Sequence, residues 1–352
     1  MCHIKPLRVL VFALVGMFLL TAGSTLFAAG ARRISASNVI RLQSVTPQGL
    51  TPVVVGVSLN LDSSRLVTVG DDHKARVWDI SASGKGRLIH EMSDQIDWVR
   101  SVKYRPDGEV FVTAGMDQKL YCYDAKTFTR TPQTNFESTG FAVRSISFSP
   151  DSERMAAVGF DASVCVYETT YGRIRRRWPT LSGDQRCVQF SPDSRFLAAA
   201  GRDGVVLVFD VTTGAVVKEL QKHTRRVNTL TFSPDGKFLV SGGDDRNICV
   251  WSMEDMSLVK TLAFPSGKVS AAAFCGDDYL AVGSTNNSIR VWNFASNSPD
   301  ADFYMDEHRG TVAELIWDEK NQTLISCSFD TTVRFWKIAD TGLASAAEPI
   351  LR

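Results

Sequence analysis

Short runs of alternating apolar and polar residues occupy most of the chain. From residue 34 onwards these runs are four to seven residues long and are separated by Pro, Asp and Gly. Alternation with period two predicts β-strands, and the separating residues predict tight turns. From Val227, the runs VNTLTF, KFLVSGG, NICVWSM and SLVKTLAF predict four strands within about 43 residues, and no helix of useful length is predicted after residue 33.

The strand-rich region is one unit repeated seven times. Aligned on the end of the second strand, its copies read GDDHKARVWDI, GMDQKLYCYDA, GFDASVCVYET, GRDGVVLVFDV, GDDRNICVWSM, STNNSIRVWNF and SFDTTVRFWKI. The aromatic residue of each copy recurs at intervals of 45, 44, 42, 42, 41 and 44 residues. A four-stranded sheet of this size cannot bury both faces alone, so the seven sheets are expected to stack around a common axis.

The turn-plus-aromatic pattern at this period resembles the WD-repeat family of β-propellers, over roughly residues 34–340. The resemblance implies an all-β fold, a seven-bladed β-propeller of four-stranded antiparallel blades. Asn38 to Ser44 reads as a fourth strand with no three strands before it, and the last unit lacks a clear fourth strand. We therefore expect the N-terminal strand to complete the last blade. Residues 341–352 are expected to form a C-terminal tail.

In the WD-repeat family, a turn Asp, a Ser or Thr, a Trp and a His form a hydrogen-bonded set inside a blade. On this resemblance, two units carry the complete set: His223, Ser241, Asp245 and Trp251, and His308, Ser326, Asp330 and Trp336. Four more units keep the turn residue as Asp72, Asp117, Asp161 and Asp203. A carboxylate that recurs in six of the seven units serves each of those units, whereas a catalytic site needs its groups once. We interpret these aspartates as turn caps that accept backbone N–H groups.

The first 31 residues follow a different pattern. Lys5 and Arg8 precede an apolar run at residues 9–20, and AGA at residues 29–31 offers a cleavage site. This order is typical of a secretory signal. The uncharged run at residues 9–31 has 23 residues, so a retained membrane anchor is the alternative. We favour cleavage because the strongly apolar core has 12 residues, fewer than the ~20 of a spanning helix. Both alternatives export the rest of the chain.

The charge balance argues against a general affinity for nucleic acid. The chain has 39 Lys and Arg against 38 Asp and Glu, so no global field favours nucleic acid or an acidic membrane. The basic run GRIRRRWP at residues 172–179 falls on a predicted outermost strand. There Arg173, Arg175 and Arg177 are expected to share one face and to protect the edge against pairing with other sheets. We predict no nucleic-acid partner, and membrane contact only through an N-terminal anchor.

The chain offers no recognisable catalytic or metal site. No G-x-S-x-G, HExxH, P-loop or EF-hand pattern is present. His73 and His90 lie in or near turns without a repeat-specific partner. The six cysteines after the N-terminal segment form no CxxC pair, and a free Cys in an apolar strand packs as a small hydrophobe. We predict mostly free, buried thiols, no enzyme activity, no metal and no cofactor.

Surface residues at one end of the repeat are the remaining candidates for function. Arg100, Arg144 and Arg186 begin the first strand of three consecutive units and are expected to point toward one rim. Arg and large aromatic residues are enriched at binding hot spots, although scattered apolar surface residues are also normal. The candidate partner-binding rim consists of Trp98, Arg100, Arg144, Phe160, Arg186, Arg202, Arg226, Asn228, Asp244 and Phe329. Among them Asp244 is expected to face outward and to be free for a partner.

These patterns predict a non-enzymatic scaffold that binds protein or peptide partners on its rim. It is expected to act as a monomer outside the cytoplasm, secreted, periplasmic or anchored to a membrane. The three arginines Arg100, Arg144 and Arg186 are expected to favour an acidic partner segment. Two alternatives stay open: a propeller enzyme or carbohydrate-binding module with its site at the channel mouth, and an intracellular scaffold with an uncleaved N-terminus.

Overall fold

A computed structural model describes residues 31–42, 51–81, 86–131, 136–296 and 298–338. The described residues form 28 strands and no helix, grouped in seven sheets. Two short strands come first, β1 (Arg32–Arg33) and β2 (Asn38–Arg41). The predicted N-terminal signal or anchor up to residue 30 and the tail at 341–352 lie outside the described residues.

The first four blades follow in chain order, each from its innermost to its outermost strand. Blade one has β3 (Val54–Leu59), β4 (Arg65–Gly70), β5 (Ala75–Asp79) and β6 (Arg87–Met92). Blade two has β7 (Val99–Tyr104), β8 (Val110–Gly115) and β9 (Leu120–Asp124). Blade three has β10 (Val143–Phe148), β11 (Arg154–Gly159), β12 (Ser163–Glu168) and β13 (Arg173–Pro179). Blade four has β14 (Gln185–Phe190), β15 (Phe196–Gly201), β16 (Val205–Asp210) and β17 (Val216–Gln221).

The last three blades have the same order. Blade five has β18 (Val227–Phe232), β19 (Phe238–Gly243), β20 (Asn247–Ser252) and β21 (Leu258–Ala263). Blade six has β22 (Val269–Cys275), β23 (Tyr279–Ser284), β24 (Ile289–Asn293) and β25 (Phe303–Met305). Blade seven has β26 (Val312–Asp318), β27 (Thr323–Ser328) and β28 (Thr332–Lys337).

The innermost strands close into a ring. They contact one another in the order β3, β7, β10, β14, β18, β22 and β26, and β26 contacts β3. The apolar faces of neighbouring sheets pack together, as where Val240 of blade five meets Phe274 of blade six. Antiparallel sheets with alternating apolar residues are thereby buried on both faces, which a single blade could not achieve. The predicted seven-bladed propeller is confirmed.

The N-terminal residues tie two blades together. Strand β2 pairs antiparallel with β28, with Ile40 opposite Val333, which confirms the predicted closure of the last blade. Strand β1 pairs in parallel with β25 of blade six, a contact that the sequence did not predict. Ile34 lies between the two strands and is buried in one cluster with Trp336. The segment therefore crosses from the outer edge of blade six to that of blade seven.

Blades two and three depart from the simple pattern at their outer edges. In blade two the described residues form three strands, and an isolated bridge between Tyr123 and Arg130 marks the place of the fourth. In blade three, β13 is the outermost strand, as expected. A bulge between Val166 and Tyr167 interrupts its alternation. Arg175 is skipped at this bulge, so that Arg177 pairs with Cys165 and Arg173 with Glu168, which lie on opposite faces of β12. The expected single arginine face was therefore wrong.

The six cysteines of the described residues are free and buried, as predicted from their apolar surroundings. Burial raises the pKa of the Cys165 thiol to about 11, although Arg177 partly opposes the shift. Across the described ranges, no helix has the length and apolar character needed to span a bilayer.

Candidate functional site

The first strand of every blade carries a β-bulge at the same position. One residue is left out of each pairing with the second strand, namely Val55, Arg100, Arg144, Arg186, Asn228, Ser270 and Ala313. A bulge re-aims its extra side chain relative to the regular alternation. All seven residues line one cavity of about 400 Å³ between the innermost strands. They therefore surround the mouth of the central channel.

Glycine opposite the bulge allows the two strands to approach closely. Gly115 and Gly159 end the second strands of blades two and three. A Cβ on Gly115 would lie 2.1 Å from the carbonyl oxygen of Trp98, and one on Gly159 would lie 2.0 Å from that of Ala142. A side chain at Gly115 or Gly159 would therefore require the two strands to move apart locally. Blades six and seven have Ser284 and Ser328 at the equivalent positions and still form the bulge.

The channel carries more positive than negative charge. Among the described residues that line it, four are cationic and Glu314 is the only carboxylate. Lys103 forms an ion pair with Glu314. The second carboxylate oxygen of Glu314 accepts a hydrogen bond from the Val57 N–H at 2.8 Å. The single carboxylate of the channel wall is therefore already occupied and does not pair with Arg100, Arg144 or Arg186 at the mouth.

Arg186 and Arg226 share a carboxylate that lies two residues before the bulge of blade four. Arg186 Nε lies 2.8 Å from Asp184 Oδ1, and Arg226 Nη2 lies 3.4 Å from Asp184 Oδ2. Their positive charge is thus partly neutralised within the protein. The expectation that Arg186 would act together with Arg100 and Arg144 did not consider this pairing.

Asp244 is held by neighbouring side chains, so the expectation that it is free for a partner was wrong. Asn228 Nδ2 donates to Asp244 Oδ1 at 2.9 Å, and Lys268 Nζ lies 3.0 Å from Asp244 Oδ2. Burial alone would raise the pKa of Asp244, but the contacts with Asn228 and Lys268 lower it below its ordinary value. Lys268 belongs to blade six, so the position of Asp244 within its own repeat does not reveal this contact.

Arg100 and Arg144 have aromatic partners instead of carboxylates. The Arg100 guanidinium lies 4.6 Å from the centre of the Trp98 ring, and that of Arg144 lies 5.5 Å from the centre of the Phe160 ring. No ion pair among the described residues includes either arginine within 4.0 Å. Burial lowers the pKa of Arg100, and the nearby Asp71 offsets this only in part. We call Trp98, Arg100, Arg144 and Phe160 the cationic rim.

Exposed apolar side chains surround the cationic rim. Trp98 and Phe160 are each 44% exposed. Ile96 is 73% exposed and Leu181 is 54% exposed, and both lie in loops that lead into a first strand at this end of the propeller. Ile96 and Leu181 were not among the predicted rim residues, although an alignment of these loops across the repeats could have revealed them.

The other predicted rim residues are more dispersed. Phe329 is exposed on blade seven, and Arg202 is exposed on blade four. Neither residue belongs to blades two and three, which carry the cationic rim. Arg226, Asn228 and Asp244 belong to the ion-paired side of the rim. The structure therefore brings Trp98, Arg100, Arg144 and Phe160 together as neighbours of the channel mouth, and Arg186 adjoins them with its guanidinium 6.0 Å from the centre of the Phe160 ring.

The two complete turn networks lie inside their blades. In blade five, Trp251 Nε1 donates to Ser241 Oγ at 2.9 Å, and His223 Nε2 lies 2.8 Å from the same oxygen. His223 Nδ1 lies 3.0 Å from Asp245 Oδ1, and the Thr224 N–H donates to Asp245 Oδ2 at 3.0 Å. These contacts engage the polar groups within the fold and leave them unsuited to substrate binding.

Blade seven repeats this arrangement. Trp336 Nε1 donates to Ser326 Oγ at 2.8 Å, and His308 Nε2 lies 2.7 Å from that oxygen. His308 Nδ1 lies 2.9 Å from Asp330 Oδ2. Burial alone would raise the pKa of Asp330, but hydrogen bonds from His308, Thr332 and the Arg309 backbone lower it far below its ordinary value.

Blades without the full set use a different partner for the turn aspartate. In blade one, Arg76 Nη2 lies 2.5 Å from Asp72 Oδ2, and Arg76 Nε lies 2.9 Å from Glu91. In blade two, the Tyr121 hydroxyl donates to Asp117 at 3.0 Å. Both residues stand two positions before the repeat aromatic residue, a position that the sequence analysis did not consider.

The two remaining turn aspartates accept hydrogen bonds from their own turns. The Ser163 hydroxyl donates to Asp161, and the Val205 N–H donates to Asp203 at 2.9 Å. Within the described part of the chain, no group of three or more His, Cys, Asp and Glu side chains is placed to hold a metal ion.

A family model described as WD domain, G-beta repeat matches the chain seven times. The matched residues are 46–79, 86–124, 130–168, 179–210, 214–252, 256–293 and 303–337. Four of the matches, 86–124, 214–252, 256–293 and 303–337, begin with the outermost strand of one blade and continue through the first three strands of the next. Together the seven matches cover more than half of the sequence. A comparison with curated proteins gave no match.

Proposed function

The chain belongs to the WD-repeat family, and from this premise we propose that it is a non-enzymatic scaffold that binds protein or peptide partners through the cationic rim. Propellers of this family typically serve as protein-interaction scaffolds. A site on the rim leaves the core of every blade intact, because the bulged residues are not needed for pairing between strands.

The observation that carries this proposal is the coincidence of two features on blades two and three. Half-exposed aromatic rings and arginines without carboxylate partners occur together beside the channel mouth. A few hot-spot residues contribute most of the binding free energy in protein interfaces, and Trp, Tyr and Arg are enriched among them. On blades four to six, the corresponding charges are paired with one another, so that side offers less to a partner.

A pair of matched variants tests the rim. In the full chain, Trp98→Ala combined with Phe160→Ala is expected to lower recovery of specific partners at least tenfold, because interface anchors often contribute 2 kcal/mol or more. Leu61→Ala serves as the control, since Leu61 is 75% exposed and follows β3 at the opposite end from the rim. Partners are quantified by mass spectrometry after purification from the cells that make the protein. Unchanged recovery by a folded double variant would contradict the proposal.

We also propose that the partner segment is acidic and that the propeller acts as a monomer outside the cytoplasm. Support for the acidic partner comes from the excess of cations at the channel mouth. Support for export comes from Lys5 and Arg8 before the apolar run at residues 9–20, all outside the described residues.

Sequencing the N-terminus of the protein from fractionated cells tests export. A chain that begins near residue 32 in the extracytoplasmic fraction supports a cleaved signal, and a membrane-bound chain that begins at Met1 supports an anchor. A chain that begins at Met1 in the cytosol contradicts export.

A further inference from the structure

We propose that Arg100 and Arg144 form a subsite for one carboxylate side chain, Asp or Glu, of the partner segment. The identity of the partner segment rests on the proposed function, but the subsite is defined by this chain alone. Arg186 also lies over the Phe160 ring, but it is not part of the subsite, because its Nη2 already donates to Asp184 Oδ2 at 3.1 Å.

The repeat itself indicates which group fits beside these arginines. In blade four, the residue two positions before the bulge is Asp184, and it pairs with Arg186. In blade five, the residue before the turn aspartate is Asp244, and it pairs with Lys268. On blades four to six, the cations beside these two positions therefore have carboxylate partners within the chain.

Blades two and three lack a carboxylate at both of these positions. Asp71 of blade one and Asp97 lie close enough for their charges to act on Arg100, but among the described residues neither forms an ion pair with it, and Asp71 accepts the Val53 N–H at 3.0 Å instead. The residues two positions before the bulge are Trp98 and Ala142, and those before the turn aspartate are Met116 and Phe160. The arginines remain, and the Arg100 Nε is buried without a hydrogen-bond acceptor among the described residues. A buried charged donor without an acceptor is unfavourable, so an incoming carboxylate would stabilise it.

The aromatic residues prepare the two guanidinium groups for such a ligand. Trp98 packs against Arg100 and Phe160 against Arg144, which restricts the rotamers of both arginines. A guanidinium held on a ring face still presents its N–H groups at its edge, where a carboxylate binds with two parallel hydrogen bonds. Less side-chain entropy is then lost when the ligand binds.

The channel limits how far the ligand can enter. Below the mouth, Lys103 is already paired with Glu314, so a second carboxylate has no free cation there. The opposite wall, at Ala271, Ala273 and Ala313, is made of small apolar residues that can accommodate the methylene groups of a Glu side chain. The carboxylate is therefore held at the mouth, with the rest of the partner segment on the rim.

NMR of the arginine Nε–Hε groups tests this subsite without any partner protein. The full chain is titrated with N-acetylglutamate amide, and N-acetylglutamine amide is the uncharged control. We expect a saturable shift of the Arg100 and Arg144 signals with the glutamate compound. The variants Arg100→Gln and Arg144→Gln should each bind this compound at least fivefold more weakly. In Arg202→Gln the affinity should change less than twofold. N-acetylphosphoserine amide is titrated in parallel, and tighter binding of the phosphate than of the carboxylate would overturn the assignment to Asp or Glu.

The outcome separates the subsite from the proposed function. Saturable shifts at Arg100 and Arg144 support the subsite, whatever the partner-recovery experiment gives. Normal partner recovery by the variant with both Trp98→Ala and Phe160→Ala would contradict only the proposed scaffold site. Equal shifts with the glutamine compound, equal shifts at the exposed Arg202, or no saturable shift would overturn the subsite, whatever the recovery experiment gives.

Discussion

Ser241 Oγ has two partners in the interior of blade five. Trp251 Nε1 donates to it at 2.9 Å, and His223 Nε2 lies 2.8 Å away. Ser241 is fully buried, so water cannot replace the hydroxyl group. Blade four has Ala199 and Phe209 at the equivalent positions, and Trp178 of blade three stacks on Phe209 with the ring centres 5.2 Å apart. One blade is thus stabilised by hydrogen bonds and its neighbour by aromatic packing.

Replacing Ser241 by Ala is expected to destabilise the protein by about 1–3 kcal/mol, because it leaves buried donors without an acceptor. Adding Trp251→Phe should recover part of this loss, since Phe needs no acceptor. Urea denaturation measures both effects. Ser257→Ala, at an exposed turn, is the control and should change stability by less than about 0.5 kcal/mol. Equal effects of Ser241→Ala and Ser257→Ala would show that the network contributes nothing.

The turn carboxylates predict a loss of stability in acid. Burial alone would raise the pKa of Asp245, but hydrogen bonds and charge from His223 and the backbone N–H groups of Thr224 and Asn247 outweigh it, so the pKa lies below 3.8. A pKa that is lower in the folded state than in the unfolded state stabilises the fold above the unfolded value of about 3.9. That contribution is lost as the pH falls from about 4 through the folded pKa.

Denaturation at pH 6 and pH 3 tests this linkage. The difference in the free energy of unfolding between the wild type and Asp245→Asn is expected to shrink at pH 3, because the wild-type carboxylate becomes protonated. A difference that stays constant between the two pH values would contradict it.

Asp244 and Asp245 show what the sequence can and cannot predict about single residues. The recurrence of Asp245 in the repeat identified its turn position, because a structural role repeats with the unit. Asp244 varies between repeats, and its contacts depend on Lys268 of the next blade. Contacts across blades depend on register and bulges, which a comparison of repeats within one chain does not reveal.

At the scale of elements, β2 closes the ring through one face only. Ile40 is 5% exposed and packs between blades seven and one, whereas its neighbour Val39 is 41% exposed. The alternation of a strand places these neighbours on opposite faces. The strand was predictable because it matches the period of the repeat. The two-residue strand β1 was not, since so short a segment carries no periodicity.

Ile40→Ala is expected to destabilise the protein by about 2–4 kcal/mol and to speed hydrogen exchange in β28, because it leaves a cavity at the closure. Val39→Ala, the matched control, should cost less than about 1 kcal/mol. Urea denaturation and amide exchange provide the measurements. Similar losses for both variants, or unchanged exchange in β28, would argue that β2 does not hold the ring closed.

At the scale of the whole molecule, the rim is divided into two unlike halves. Ion pairs join blades four, five and six through Asp184, Arg226, Asp244 and Lys268. On blades two and three, the arginines lie against aromatic rings instead. The number of blades and the position of the rim followed from the period of the sequence. The division did not, because it depends on which charges meet across neighbouring blades.

Photo-crosslinking tests most directly whether the cationic rim is the partner-binding surface. Benzoylphenylalanine is placed at position 98, on the rim, or at position 61, a more exposed apolar position beyond the other end of β3. Both proteins are irradiated in the cells that produce them, and covalent adducts are identified by mass spectrometry. The account predicts discrete protein adducts from position 98 and none from position 61. The same adducts from both positions, or adducts from position 61 alone, would contradict it.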